Sequence, residues 1–339
     1  MSSPQDPATT RADRFTISAA DYRKIAIVSL ALIVVIIVVG TGVRLTGSGL
    51  GCADWPNCDA GSGKFVEFTS TSQSIEQANR LLSGIGGIVA ATIAVVGARR
   101  LRPYRRDLFW LSLGLVAGVF GNIPLGGITV LVDLHPAAVA SHFVLGMILL
   151  TNATVLLWRA SNPPGPRRAK VGSFELNLSR VAVLSASALM FTGPLVTGTA
   201  PHGGDGTARR FGFNVPDVAR IHSINMWIFL VTAVVLLTRM AMRSTDRDVM
   251  RRGYVMLVAI VAQGAIGYTQ YELGIPAWIV ILHVVGATTV VATTVWFHMG
   301  LSGAASVSDG SVAEEAGSAN PFQAPVAAES LPTQVGTTS

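Results

Sequence analysis

Eight apolar runs of about twenty residues each, parted by short polar connections, leave this chain few folds to choose from. They fall at residues 25–44, 75–97, 108–130, 137–158, 179–198, 217–238, 252–271 and 277–299. Each is close to the length a helix needs to cross hydrocarbon. In lipid every backbone N–H and C=O needs a partner within the protein, and a helix supplies one segment by segment. Half of the residues are hydrophobic and 13% are charged, too little polar surface for a soluble protein of 339 residues. The expected fold is an all-α polytopic membrane protein with eight transmembrane helices. A polar stretch precedes a full-length first run, so no cleavable signal peptide is expected.

The eight runs divide into two similar sets of four. Residues 126–142 (GGITVLVDLHPAAVASH) align without a gap on 267–283 (GYTQYELGIPAWIVILH), each with a glycine sixteen residues before a histidine. Thr46 and Gly47 (VRLTG) match Thr197 and Gly198 (PLVTG), each pair at the outer end of an apolar run. Such spacing predicts two pseudo-symmetric four-helix bundles, 25–158 and 179–300, joined by a linker at 159–178. The tail at 1–24 is polar, and 301–339 is rich in Ala, Ser, Gly, Thr and Pro; the latter is expected to be disordered.

Basic residues sort by side. Arg11, Arg14, Arg23 and Lys24 precede the first run, Arg99, Arg100, Arg102, Arg105 and Arg106 crowd the second connection, and the fourth and sixth are similarly basic. The opposite side carries only Arg44, Lys64, Arg80, Arg209, Arg210 and Arg220. The positive-inside rule then puts both termini in the cytoplasm of a cell-membrane protein. A net charge of +6 parcelled into short loops is a topology signal and argues against a nucleic-acid partner.

Both cysteines, Cys52 and Cys58, lie in the first outer loop (GCADWPNCD, 51–59). On an oxidising side a disulfide closing a tight loop is the expected state, with free thiols or a redox couple as the alternatives. The residues between them are turn-formers rather than metal ligands.

Six histidines are present, and His142, His222 and His283 each sit just inside the outer end of a span. An ionisable side chain at membrane depth is costly without a partner, which makes these three functional candidates. His222 and His283 lie on helices running the same way and can clamp a haem iron from both sides, as a six-coordinate b-type site. The alternative is a pair of histidines bonded to backbone carbonyls or to Ser223 and Asn225. The first half departs from this: Asn79 stands where the second half has His222, and Asn is a poor iron ligand. Glu76, three residues earlier, shares a helical face with Asn79 directed towards His142, and its counterpart is Ala219. A carboxylate beside a haem with one open axial face suits a reaction site. The competing view of Glu76 is an acid in a first helical turn, favoured by the helix dipole. Arg80 can pair with Glu76 or bind a haem propionate. His135 and His202 lie in outer loops, and His298 lies at the cytoplasmic end of the last run.

Glycines such as Gly40, Gly84, Gly126 and Gly127 read as close helix approaches or as room for a flat macrocycle, since no nucleotide-binding pattern accompanies them. The segment 197–207 (TGTAPHGGDGT) reads as a flexible turn that could cap the second site.

Taken in order, 43–59 (VRLTGSGLGCADWPNCD), 76–84 (EQANRLLSG), 125–131 (LGGITVL) with His142, 197–205 (TGTAPHGGD), 219–222 (ARIH) and 267–276 (GYTQYELGIP) with His283 resemble the haem A synthase family, in an actinobacterial form. The resemblance covers about residues 25–300. It implies haem b held in the second half by His222 and His283. It implies haem O as substrate in the first half, with His142 as its ligand and Asn79 and Arg80 in its pocket. The implied reaction is oxidation of a ring methyl to a formyl group by two hydroxylations with water-derived oxygen, supplying haem A to terminal oxidases. Glu76 matches the family's essential carboxylate, and Cys52 and Cys58 match its outer-loop disulfide. The family commonly has Glu-x-x-His-Arg where this chain has Asn79, so either His142 alone holds the substrate, or His135 swings in from the outer loop as a substitute, or the chain has kept the fold and lost the activity. Implied partners are membrane lipid, a haem O synthase, a quinone or other electron acceptor, and a second copy of the chain. The alternatives are a bis-His electron-transfer cytochrome and a haem-delivery protein.

Overall fold

A computed structural model describes residues 16–58 and 69–304. Arg11, Arg14, Lys64 and the tail beyond residue 304 lie outside the described residues. Among the described residues, eight helical segments are long and apolar enough to cross a membrane. They are α1 (Ala19–Leu45), a second formed by α2 (Thr71–Leu81), a π turn (Leu82–Gly86) and α3 (Gly87–Arg100), then α4 (Arg106–Leu131), α5 (Pro136–Ala160), α6 (Ser173–Thr199), α7 (Val215–Met242), α8 (Arg247–Glu272) and α9 (Ala277–Gly300). The chain is thus an all-α, multi-pass membrane protein.

The spans that open with α1, α2, α6 and α8 begin four to six residues before their apolar runs, and Ser18, Ser70 and Asp246 cap three of those starts. The Ser70 hydroxyl accepts the Gln73 N–H at the start of α2, and the Asp246 carboxylate accepts the Asp248 N–H at the start of α8. Hydrogen bonding from Asp248 also holds the Asp246 carboxyl below the usual range. The π turn was not expected. It sits where Ser83 donates back to the Asn79 carbonyl at 2.7 Å and where Gly84 and Gly86 impose no side-chain crowding.

The packing of the first four spans recurs in the last four. α1 packs on α3 and α5, α3 on α4, and α4 on α5; α6 packs on α7 and α9, α7 on α8, and α8 on α9. The halves meet through α5 and α9, with α1 against α9 mirrored by α5 against α6. Lipid is as apolar as leucine, so close van der Waals approach rather than hydrophobic burial drives these contacts. Glycines create it: a Cβ on Gly118 would stand 2.4 Å from Leu149 of α5, and one on Gly253 2.3 Å from Leu237 of α7. Two apolar cores result among the described residues, one around Tyr22, Leu115 and Leu150, the other around Phe229, Leu236 and Phe297.

The arginine-rich ends are tied together. Arg105 donates to Asp107 and to the carbonyls of Arg159 and Asn162, and Arg239 and Arg243 both reach buried Glu175 at 3.4 Å. Two departures from expectation appear here. Residues 302–304, expected in a structureless tail, form a short strand β2 (Ser302–Ala304) antiparallel to β1 (Arg167–Ala169), inside the expected linker. The Lys170 N–H to Leu301 carbonyl bond at 2.8 Å continues the pairing and anchors the end of α9. At the outer ends the duplicated Thr-Gly pairs also differ. Thr46 caps α1 and Gly47 turns left-handed at φ 68°, whereas Thr197 and Gly198 remain within α6. There the Gly198 carbonyl accepts the Phe211 N–H, so the second outer loop folds back on the helix.

Candidate haem sites at the outer ends of the spans

One continuous cavity of about 750 Å³ opens between the helices near their outer ends, lined by Glu76, Asn79 and His142 from the first half and by His222, Gln263 and His283 from the second. The three candidate histidines therefore face the same enclosed space rather than lipid.

Each histidine lies on a glycine. A Cβ added to Gly126 would stand 3.0 Å from Cε1 of His142, one on Gly267 3.1 Å from Cε1 of His283, and one on Gly193 3.4 Å from Cε1 of His222. The sixteen-residue spacing thus has a physical cause: α4 and α5, like α8 and α9, bring each ring against the one residue type that admits it. In the second half Nδ1 of His222 is 2.9 Å from Oγ1 of Thr192, which fixes the ring and leaves Nε2 for the cavity. Thr192 was missed by sequence reasoning. Ser223 and Asn225, considered as partners of His222, bind Tyr268 and the Ser185 carbonyl instead. Nδ1 of His142 and of His283 is buried without a hydrogen bond.

The first half keeps the same frame with a shorter side chain. Thr41 occupies the place of Thr192 but bonds only its own helix, at the Ile37 carbonyl. Asn79 reaches towards Gly40, and its Oδ1 is buried and unpartnered.

Glu76 is 3% exposed and fully engaged. Its Oε2 accepts the Cys52 N–H at 2.7 Å, and its Oε1 accepts Nε and Nη2 of Arg80 at 3.0 and 2.5 Å. α2 starts at Thr71, which puts Glu76 beyond the first turn and removes the helix-dipole explanation. Arg80 continues to the outer loop, donating to the Asp54 carbonyl at 2.9 Å. Arg80 thus takes the ion-pair alternative with Glu76 while still lining the cavity. Cys52 and Cys58 form a disulfide that closes this loop. Gln77 donates from Nε2 to Cys52 Sγ at 3.4 Å, so the disulfide also touches α2.

The remaining histidines are accounted for elsewhere. His135 is exposed and caps α5, its Nδ1 accepting the Ala137 N–H at 3.3 Å, and it does not line the cavity. His202 contacts the Ile275 carbonyl at 3.0 Å and ties the second outer loop to the α8–α9 connection. Asp205 in that loop is held below the usual carboxylate range by the Thr207 N–H and hydroxyl. His298 pairs with Ser179.

The donor set fits a haem. Imidazoles seated on glycine leave flat space beside them, and Arg44, whose Nη1 is buried without a partner, joins Arg209 and Arg210 on the cavity lining. Guanidinium groups there suit the carboxylates of a porphyrin.

The sequence model of the family described as "Cytochrome oxidase assembly protein" (COX15-CtaA) matches residues 23–202. Among curated proteins, "Heme A synthase" of Bacillus pumilus is 27% identical over 136 residues, 40% of this chain and 43% of that protein. "Heme A synthase" of Methylobacterium radiotolerans is 27% identical over 328 residues, 80% of this chain and 87% of that protein. That of Bacillus mycoides is 29% identical over 137 residues, 39% of this chain. The chain thus spans under half the length of the Bacillus relatives and most of the Methylobacterium one.

Proposed function

The chain belongs to the COX15-CtaA family of cytochrome oxidase assembly proteins, and on that premise we propose that it is a haem A synthase that oxidises a methyl group of haem O to a formyl group, with oxygen from water and with the electrons removed passing to a quinone or other acceptor. The observation that carries this reading is the asymmetry of two otherwise matching halves. One half offers His222 and His283 with Thr192 behind them, and the other offers His142, Asn79 and a buried carboxylate, Glu76.

In this reading residues 25–158 form the substrate unit and residues 179–300 hold haem b through His222 and His283. Haem b, when bound, supplies one-electron redox chemistry. His142 positions the substrate macrocycle from one side. Asn79 cannot close the other side, so an axial face stays open beside Glu76. The Glu76 carboxylate, fixed by Arg80 and the Cys52 N–H, provides a preoriented negative charge at the methyl undergoing oxidation and an acceptor for the proton of an incoming water. The loop closed by Cys52 and Cys58 shields that carboxylate from bulk water. Arg44, Arg209 and Arg210 hold the propionates. In this reading both termini lie in the cytoplasm and the cavity mouth on the outer side of the cell membrane, which the sorting of basic residues supports.

The test is coexpression with a haem O source in a host lacking haem A. Haem A should appear in extracted pigment with the wild-type chain and vanish with Glu76→Ala while haem b remains. Unchanged pigment with the wild-type chain would refute the reading and leave the bis-His cytochrome or haem-delivery alternatives.

A further inference from the structure

The two halves differ at a second pair of matching positions. Gly127 aligns with Tyr268, one residue beyond the glycines that carry the histidines. In the second half the Tyr268 hydroxyl lies 2.6 Å from Ser223 Oγ and accepts the Trp227 indole N–H at 2.9 Å. Three side chains thus bridge α7 and α8 across the flank of the cavity. Tyr268 and Trp227 are both about half exposed, so this latch stands between the cavity and the surrounding membrane.

Among the described residues, the matching positions of the first half form no such latch. Ser223 is replaced by Arg80, which turns to Glu76 and the outer loop. Trp227 aligns with Gly84 in the π turn, where an added Cβ would meet nothing within 4 Å, and Tyr268 is replaced by Gly127. Both glycines line the cavity. The space beside Gly127 is filled from outside its helix: the Trp55 indole lies where a Cβ would stand 2.6 Å from its Cδ2. A fixed ring on α8 has thus been exchanged for a ring on a loop, held by hydrogen bonds from Arg80 and to Glu76.

We propose that the flank between the π turn and α4, bounded by Gly84 and Gly127 and covered by Trp55, takes the long isoprenoid chain of the substrate, and that the Ser223–Tyr268–Trp227 latch denies that chain a place in the second half. The proposal rests on the reading of the first half as the haem O site. It explains how the two similar halves of the cavity sort macrocycles: haem O and haem b share the ring, and only haem O carries a long isoprenoid chain that has to leave the cavity sideways into lipid. Trp55 is a specificity-determining residue, displaced by the chain without loss of the helical frame.

The test uses full-length protein in lipid nanodiscs, titrated with haem O and, separately, with haem b. Bound pigment is identified by pyridine haemochrome, and the first site is defined by its loss in His142→Ala. Gly127→Tyr combined with Trp55→Gly should weaken haem O at the first site at least tenfold relative to haem b. Trp227→Ala combined with Tyr268→Gly, in a His142→Ala background, should let the second site capture haem O. This gain does not depend on the first variant folding. An unchanged haem O to haem b preference in the former, or no haem O at the second site in the latter, overturns the proposal. If wild-type protein binds haem O at a site that His142→Ala removes, such a failure leaves the proposed function standing. If it binds none there, both fall.

Discussion

His142 lies so close to Gly126 that a methyl on the glycine would stand 3.0 Å from the ring's Cε1, and His283 repeats the relationship on Gly267 at 3.1 Å. Alanine at residue 267 therefore tests the seat of the ring. Overpacking of this kind costs about 1–3 kcal/mol, against a gain of about 1 kcal/mol from replacing glycine within a helix. The Gly267→Ala protein should fold, since the net cost is at most about 2 kcal/mol, yet hold less haem b per polypeptide because the imidazole is pushed off its line. Pyridine haemochrome content against protein mass checks it. Full occupancy would mean that the ring has another place to go.

Thr192 supports His222 from behind, at 2.9 Å from Nδ1. Removing such a partner of a ligating histidine lowers affinity by about 10–100-fold. Thr192→Val should therefore bleach the low-spin b signal on dilution or competition with apo-myoglobin, and Thr192→Ser should restore it. Thr41→Val, at the matching place without a histidine, should leave that signal unchanged.

Much of this was readable in the chain. The eight apolar runs gave eight helices because lipid forces the backbone to satisfy itself locally, and the paired histidines stood out because their surroundings are duplicated. The rest depends on contacts far apart in sequence. Thr192 lies thirty residues from His222, and one hydroxyl in an apolar run carries no signal of its own. Trp55 and Gly127 meet only because a loop folds over α4, so the missing side chain matters solely in three dimensions. The strand at Ser302–Ala304 was hidden because three residues cannot display an alternating pattern and the segment opens a tail of low complexity.

Glu76 and Arg80 form an ion pair with side chains only 5% and 16% exposed. Breaking a buried pair by neutralising one member costs about 3–5 kcal/mol, because the other charge is left without compensation. Glu76→Gln keeps an acceptor for the Cys52 N–H but strands the guanidinium. Conversion of haem O to haem A should fall about 100-fold or more, the scale of losing a positioned acid–base group, while haem b in the second half persists. A parallel loss of haem b would instead assign Glu76 to the fold.

His135 is committed to the N-terminus of α5 through the Ala137 N–H. His135→Ala should leave haem O binding and conversion within twofold of wild type, whereas His142→Ala should abolish both. Equal losses in the two variants, measured in the same haem O titration, would show that the cap histidine swings into the cavity when the substrate binds.

The disulfide between Cys52 and Cys58 closes a loop whose backbone does two jobs at the site. The Cys52 N–H holds one oxygen of Glu76, and the Asp54 carbonyl receives Arg80. Closing so short a loop is worth about 2 kcal/mol in the chain-entropy account, modest beside the stability of an eight-helix bundle. Reduction should therefore spare the fold and loosen the carboxylate. His222 and His283 do not touch this loop, so their pigment should not respond. A membrane-impermeant reductant, or Cys52→Ser with Cys58→Ser, is expected to lower haem A formation several-fold with haem b content and melting temperature nearly constant. If both pigments fall together, the disulfide serves the whole bundle. If neither falls, Arg80 alone suffices to hold the loop on Glu76.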